Sequence, residues 1–290
     1  MAQDICLIEK KTVSLYPEIF IDDVSVSSIL TAIREKFGHD FTGYKKTSRQ
    51  RRLEKFLYDR GHKNLQEMIP DILEDRLSFQ EIVDAITVNV TDMFRDPSIF
   101  SFIQNKIFPY LLSYPNVNIW SAGCATGEEA YSLAILAEES NLLKKTKIYA
   151  TDISSASLEN AKCGIFEESR FLARTDGYRK SGGEKHLFDY YHSKYGAVIL
   201  SEKIRKSVSF FQHNMCSDRS FIDSHLIMCS NVMIYFDEDL KRKVLHLFYQ
   251  SLNKNGFLVL GAKERIPEDM IGNYFEKISS ELPVYRKIYR

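Results

Sequence analysis

Residues Ile119-Trp-Ser-Ala-Gly123-Cys-Ala-Thr-Gly127-Glu128-Glu129 run from an apolar strand through a turn with two glycines into a helical stretch, Ala130-Tyr-Ser-Leu-Ala-Ile-Leu-Ala137. Strand, tight turn and helix in that order make half of a βαβ unit, and open α/β sheets bind ligands at the carboxyl ends of their strands. Glycines there let a ligand approach the backbone. The turn is not a phosphate cradle: it lacks the Gly-Lys-Ser/Thr of a P-loop, and Glu128 and Glu129 at the helix start would repel a phosphate. A ligand carrying positive charge, an ammonium or a sulfonium, suits it better, although the two glutamates would equally complement the helix dipole with no ligand at all.

The next apolar run, Lys147-Ile-Tyr-Ala-Thr151, ends at Asp152, about 25 residues past Gly127. An acidic residue at that place in a nucleotide-binding βαβ unit accepts hydrogen bonds from ribose hydroxyls. Asp152 could instead cap a helix that begins near Ser154. The glycine turn and the acidic strand end together point to a nucleoside-containing cofactor. Leu226-Ile-Met-Cys229 and Phe257-Leu-Val-Leu260 read as further strands of a mostly parallel sheet. Gly196-Ala-Val-Ile-Leu200 and Val208-Ser-Phe-Phe211, β-rich and closely spaced, predict an antiparallel patch, and Asp176-Gly-Tyr-Arg-Lys-Ser-Gly-Gly183 reads as a loop. Thr91 or Asp92, ahead of apolar Met93-Phe94, reads as a helix cap, and Asp237 as the start of another helix. From about residue 25 to 87 the texture is helical throughout: Ile29, Leu30, Ile33 and Phe37, then Leu53, Phe56 and Leu57, then Ile82, Val83 and Ile86 recur at three- and four-residue steps.

Between Gly43 and Lys63 stand eight cations, Lys45, Lys46, Arg49, Arg51, Arg52, Lys55, Arg60 and Lys63, against only Glu54 and Asp59. The whole chain of 290 residues balances 39 Lys and Arg with 39 Asp and Glu, so this is a local patch able to steer an anionic partner, or else a solvated face. Its aromatic residues, Tyr44, Phe56 and Tyr58, do not alternate regularly with the cations as a single-strand nucleic-acid platform requires, and nucleic acid is not the expected partner. A composition 44% hydrophobic and 27% charged is that of a folded globular chain. No apolar run approaches the ~20 residues of a membrane span, and the start, Met1-Ala-Gln-Asp-Ile-Cys-Leu-Ile-Glu-Lys-Lys, lacks an export signal, so a cytoplasmic protein without membrane insertion is expected. Five scattered cysteines without a Cys-x-x-Cys pair, and histidines without helical pairing, argue against a disulfide framework and against a metal site.

Five ordered motifs resemble the CheR-type chemotaxis receptor methyltransferases: Thr87-Val-Asn-Val-Thr-Asp-Met-Phe-Arg95-Asp, Trp120-Ser-Ala-Gly-Cys-Ala-Thr-Gly-Glu-Glu-Ala-Tyr-Ser132, Ala150-Thr-Asp-Ile-Ser, Cys229-Ser-Asn-Val-Met-Ile-Tyr-Phe-Asp237 and Gly256-Phe-Leu-Val-Leu-Gly-Ala-Lys-Glu264. The resemblance implies an enzyme that uses S-adenosylmethionine, leaving S-adenosylhomocysteine, to esterify glutamates on cytoplasmic helices of chemoreceptors. It implies an all-α substrate-recognition domain (1–87) ahead of a doubly wound, Rossmann-like α/β methyltransferase domain (88–290) with an inserted antiparallel β-subdomain at about 188–210. A monomer is expected.

Position by position, the resemblance implies cofactor contacts from Asn89, Thr91, Arg95, Glu129, Asp152, Asn214, Met215, Asn231 and Val232. It implies that Lys45, Lys46, Arg49, Arg51, Arg52 and Lys55 select the acidic substrate helix. The family usually has Arg between Cys and Asn of its Cys-Arg-Asn-Val motif, and here Ser230 takes that place. Some members dock a receptor's carboxyl-terminal peptide through a longer glycine-containing loop in the β-subdomain; the short His192-Ser-Lys-Tyr195 link suggests a member without that tether. A glutamate acceptor, with a carboxyl pKa of about 4.3, is ionised at neutral pH and needs positioning and desolvation more than a base. Arg95, as a paired donor fork for a carboxylate, and Tyr235, as a phenol to orient the attacking oxygen, are the catalytic candidates.

Overall fold

The computed structural model describes residues 21–89 and 91–289; the segment inspected for an export signal, with Cys6, and Val90 of the first motif lie outside the described residues. The chain divides into two compact units between Ser78 and Phe79.

The first unit holds α1 (Asp23–Phe37), α2 (Lys46–Arg60) and α3 (Met68–Leu73). Asp22 caps α1 by accepting the Ser25 N–H at 2.9 Å, and Gly38, with φ +73°, ends it in the left-handed turn that glycine adopts without a Cβ penalty. Val26, Ile29, Leu30 and Ile33 of α1 are buried, as are Leu53 and Leu57 of α2 and Met68 and Ile72 of α3, which is the three- and four-residue spacing read in the sequence.

The second unit opens with α4 (Phe79–Ile86), α5 (Pro97–Phe102), a π-helical turn at Ile103–Ile107 and α6 (Phe108–Leu111). No helix begins at Thr91 or Asp92. The Asp92 carboxylate is taken instead by Arg170 and Arg174, and the helix starts after Asp96 with Pro97 at its first position, where a missing N–H costs nothing.

The strands then follow: β1 (Val117–Ala122), β2 (Thr146–Asp152), β3 (Ile165–Glu167), β4 (Tyr191–Lys194), β5 (Ala197–Leu200), β6 (Val208–Gln212), β7 (Ser224–Cys229), β8 (Leu252–Leu260), β9 (Phe275–Lys277) and β10 (Val284–Lys287). Between them lie α7 (Glu128–Glu139), α8 (Ser155–Cys163), α9 (Glu168–Leu172), α10 (Thr175–Lys180), α11 (Glu202–Lys206) and α12 (Glu238–Ser251). Seven strands form one sheet in the order β6-β2-β1-β7-β8-β10-β9. The five from β6 to β8 run parallel, and β10 and β9 close the edge antiparallel. From β1 the chain winds outward through β2 to β6 and then returns to the other side at β7. The β1/β7 junction is therefore the topological switch point, where the crevice of an open sheet opens. β1, β7 and the end of β8 are almost wholly buried, as continuous apolar strands covered on both faces should be. Residues Ala130 to Ala137 of α7 are buried all round, so this helix is packed on every side.

The antiparallel patch is built differently from the expectation. Val208–Gln212 is not part of it but pairs parallel with β2 as the edge of the large sheet, and Ile165–Glu167 supplies the third strand, in the order β3-β5-β4. Strand propensity marks a segment as extended without naming its partner. The β4–β5 link is a two-residue turn, Tyr195 (φ +55°) and Gly196 (φ +75°), as a tight hairpin of this hand requires. The segment Asp176 to Gly183 is also not a plain loop. Its first half lies in α10, because the fully buried Tyr178 packs against Phe94 with ring centroids 5.2 Å apart and holds the turn in place.

Candidate functional site

The carboxyl ends of the five parallel strands bring most of the expected residues to one cleft. β1 delivers the turn Gly123 to Gly127 and the start of α7. β2 delivers Asp152, β6 is followed by Asn214 and Met215, β7 by Asn231 and Val232, and β8 by Glu264.

Asp152 is buried, and it stitches two strand ends together: Oδ2 accepts the Ala125 N–H at 2.8 Å and Oδ1 the Ser154 N–H at 2.9 Å. It does not cap α8; that is done by the Ser154 hydroxyl, which accepts the Ser157 N–H at 3.1 Å. Gly123 (φ +76°) could not be any other residue, because a Cβ there would lie 2.6 Å from Val232 Cγ2 and 3.4 Å from Met215 Cε. These three residues form one apolar wall of the cleft. Asn214 is buried and its side chain accepts the Cys216 N–H at 2.9 Å, which turns the chain after β6. Asn231 stands in the left-handed region at φ +61°, and its side-chain Nδ2 is a buried donor with no partner among the described residues. A buried donor left open costs about 1–3 kcal/mol, and a ligand acceptor would remove that cost.

Glu129 points from the first turn of α7 into the interior and accepts the Ser121 hydroxyl at 2.7 Å. Burial pushes its pKa up to about 7, with the Ser121 hydroxyl and the charge of Arg95 opposing and Glu264 reinforcing the rise. The Ser230 hydroxyl, at the position between Cys229 and Asn231, is buried near Glu129 with no hydrogen-bond partner among the described residues. Burial also raises the pKa of Asp152, against the N–H groups of Ser154 and Ala125, and that of Glu264, against those of Asn231, Gly261 and Ile234. Burial is the main cause of the rise in all three carboxyls. The donor set fits S-adenosylmethionine, whose sulfonium and ammonium would meet Glu129, whose ribose would meet Asp152, and whose remaining acceptors would meet Asn231.

This arrangement predicts a pH dependence. Ionised Glu129 attracts a cationic ligand and protonated Glu129 does not, so affinity for S-adenosylmethionine should rise about tenfold between about pH 5.5 and 7, and Glu129→Gln should flatten the profile in calorimetric titration. Folding alone has the opposite sign. With the folded pKa above that of the unfolded chain, Glu129 favours the native state at low pH, and that contribution is lost as pH rises from about 4.5 through about 7.

The first motif lines the approach. Asn89 accepts the Thr87 hydroxyl at 2.7 Å and donates to Asp84 at 2.9 Å, and the same Asp84 oxygen accepts the Ser154 hydroxyl at 2.7 Å, tying this segment to the end of β2. The Thr91 carbonyl accepts from Arg170. Arg95 is exposed and, among the described residues, its side chain has no hydrogen bond or ion pair. Its neighbours Phe94 (φ +51°) and Asp96 (φ +57°) are both left-handed without being glycine, as are Ala125 (φ +47°) and Asn231. Such conformations cost about 1–3 kcal/mol each and persist where the surroundings impose them, characteristically at sites of function. Tyr235 is half-buried in the turn Met233–Tyr235.

The basic patch lies in the first unit, on and just before α2. Its members are not equivalent. Arg49 donates to the Phe41 and Thr42 carbonyls, Lys46 pairs with Asp23 at 2.7 Å and Lys55 with Asp59 at 2.8 Å, and Arg52 is half-buried. Lys45 and Arg51 are exposed and carry no such contact among the described residues.

Sequence reasoning did not single out Glu264, although it quoted the motif that contains it, nor Ser121 and Asp84. Glu264 is the most consequential omission: Oε2 accepts the N–H groups of Asn231 at 2.7 Å and Gly261 at 2.8 Å, and Oε1 that of Ile234 at 3.1 Å.

Comparison with known proteins agrees with this geometry. Residues 89–282 match the family model "CheR methyltransferase, SAM binding domain" and residues 26–87 match "CheR methyltransferase, all-alpha domain". The chain is 36% identical over 265 residues to Cher3 of Pseudomonas putida, covering 91% of this chain and 97% of that one. It is 33% identical over 255 residues to a chemotaxis protein methyltransferase of Borreliella burgdorferi (83% and 88% covered) and 30% identical over 236 residues to one of Listeria innocua (81% and 87%).

Proposed function

This chain belongs to the CheR methyltransferase family, and from that premise we propose that it transfers the methyl group of S-adenosylmethionine to glutamate side chains on the cytoplasmic helices of chemoreceptors, forming methyl esters that serve chemotactic adaptation. When bound, the cofactor supplies an electrophilic methyl carried on a sulfonium. What this chain's own residues must do is hold the cofactor and bring an anionic carboxylate into a cleft whose buried groups are themselves acidic.

One observation supports the assignment: Arg95 is an exposed guanidinium with no hydrogen bond or ion pair among the described residues, close enough for its charge to lower the pKa of Glu129. A carboxylate entering beside three buried carboxyls needs such a donor fork, since an unpaired charge stripped of water is strongly disfavoured. Tyr235 ends the turn that follows Asn231 and Val232, and its phenol, without a hydrogen-bond partner among the described residues, is proposed to orient the attacking oxygen. No general base is required, because the acceptor carboxylate is already ionised at neutral pH. Lys45 and Arg51, uncommitted on the helical unit, are the best placed of the basic group to meet an acidic receptor helix, while Lys46, Arg49, Arg52 and Lys55 shape that surface. Among the described residues no helix is long and apolar enough to cross a membrane.

The test is to incubate the protein with methyl-labelled S-adenosylmethionine and receptor-containing membranes, and to measure alkali-labile methanol released from the receptor band. The native chain should give labile label, and Arg95→Ala should lose it by about 100-fold. Alkali-stable label would rule out the ester, and cofactor binding with no label on any of a panel of receptors would rule out the enzyme.

A further inference from the structure

Arg95 sits on a strained segment: its neighbour Asp96 accepts the Ala262 N–H at 3.4 Å, and two further sets of contacts hold the segment. On one side the Phe94 N–H donates to Ser132 Oγ on α7 at 2.9 Å, and the same hydroxyl donates to the Glu128 carbonyl at 2.7 Å. On the other side two arginines close on Asp92: Arg170 Nε lies 3.0 Å from Oδ1 and Arg174 Nη2 lies 2.7 Å from Oδ2. Arg170 also donates to the Thr91 carbonyl, so one guanidinium grips both backbone and side chain of the loop. Arg170 belongs to α9 and Arg174 follows it. A cavity of about 530 Å³ is lined by Thr91, Asp92, Arg95, Arg170 and Arg174 among others, so clasp and Arg95 share one space.

Exposed ion pairs of this kind contribute little to global stability, because water screens them. Their effect here is local. Left-handed Phe94 and Asp96 would relax toward ordinary backbone conformations if the loop were released, and Arg95 lies between them. We infer that Arg170 and Arg174 are positioning residues for Arg95, acting through Asp92 and the Thr91 carbonyl to hold the loop that presents its guanidinium. The inference deepens the proposed function and rests on it for the reaction in which it is read.

A double-mutant cycle tests it. Asp92→Asn keeps the side-chain shape and removes the charge both arginines grip; Arg170→Ala removes the double grip. In the native background each should lower kcat/KM for receptor methylation about tenfold, with thermal midpoints unchanged. In the Arg95→Ala background the same changes should cost less than about twofold, since the group they position is gone. Arg170→Lys, which keeps the charge but not the fork, should not restore the rate. Equal losses in both backgrounds, or no loss in the native one, would overturn the inference, and should Arg170→Ala not fold, Asp92→Asn decides alone. If the native protein proves inactive on receptor membranes, the function reading has failed. The same cycle is then read in the dissociation constant for S-adenosylhomocysteine, where absence of coupling overturns the positioning role on its own account.

Discussion

Asp152→Ala is expected to weaken S-adenosylhomocysteine binding by more than about 100-fold in isothermal titration, while the chain remains folded. The carboxylate has two sets of partners. In the protein it accepts the N–H groups of Ala125 and Ser154, so truncation leaves two buried donors open, at about 1–3 kcal/mol each. Ala125 is also left-handed, and the Asp152 bond is one of the contacts that keep it so. The glycine turn is anchored further by the N–H groups of Gly123 and Cys124 on the Thr151 carbonyl, at 2.8 and 2.9 Å, which is why the sheet should survive the substitution. Toward the cofactor, the outward lone pairs would be lost as acceptors for ribose hydroxyls. Loosened turn and lost acceptor together amount to about 3–5 kcal/mol, and about 1.4 kcal/mol is a factor of ten. Asp152→Asn keeps one acceptor but sets an amide N–H against a backbone N–H, so it should fall short of rescue. A loss below about tenfold with either variant would mean that Asp152 is a structural clasp and that the ribose is held elsewhere.

The elements that sequence revealed are those whose signal is local. β1, β2, β7 and β8 are continuous apolar runs, and a strand buried on both faces has to look like that. The places of Glu129 and Asp152 were legible because a glycine turn before a helix and an acidic strand end are local signals, and both residues do stand at the carboxyl ends of β1 and β2. Pairing is different. Val208–Gln212 is plainly extended, yet whether it joins β5 or β2 is decided by where α11 returns the chain. Thr91 and Asp92 have the composition of a helix cap, but a carboxylate that can cap can also bind arginine, and Arg170 and Arg174 arrive from about 80 residues away. The glycines of Asp176 to Gly183 signalled a loop until Tyr178 found a buried place against Phe94. Asn214 and Met215 came from resemblance alone, since a polar residue after a strand carries no distinguishing mark.

Glu264 is the extreme case, and it makes the largest stability prediction. Glu264→Ala should destabilise the second unit by about 3–5 kcal/mol, lowering its thermal midpoint by roughly 10 °C in differential scanning calorimetry. The side chain is almost fully buried, yet among the described residues it has no cation within hydrogen-bonding reach; its charge is met by backbone N–H groups of Asn231, Gly261 and Ile234. Removing it leaves three buried donors open at once. Gly261 lies tight against this group in the native chain, where a Cβ would sit 2.8 Å from the Glu264 oxygen and 2.9 Å from the Asn231 nitrogen. Glu264→Gln retains one acceptor oxygen and should lose less, about half as much. The loss should extend to the cofactor. Glu264 accepts the Asn231 N–H and so helps to hold its left-handed turn, which sets where the open side-chain donor lies. S-adenosylhomocysteine affinity should therefore fall in Glu264→Ala even below the unfolding transition, and undiminished affinity would show that the turn after β7 holds its shape unaided. In sequence, Ala262-Lys-Glu-Arg265 looks like an exposed polar turn, because the donors that make Glu264 necessary lie mostly about 30 residues upstream, across the β7–β8 pair.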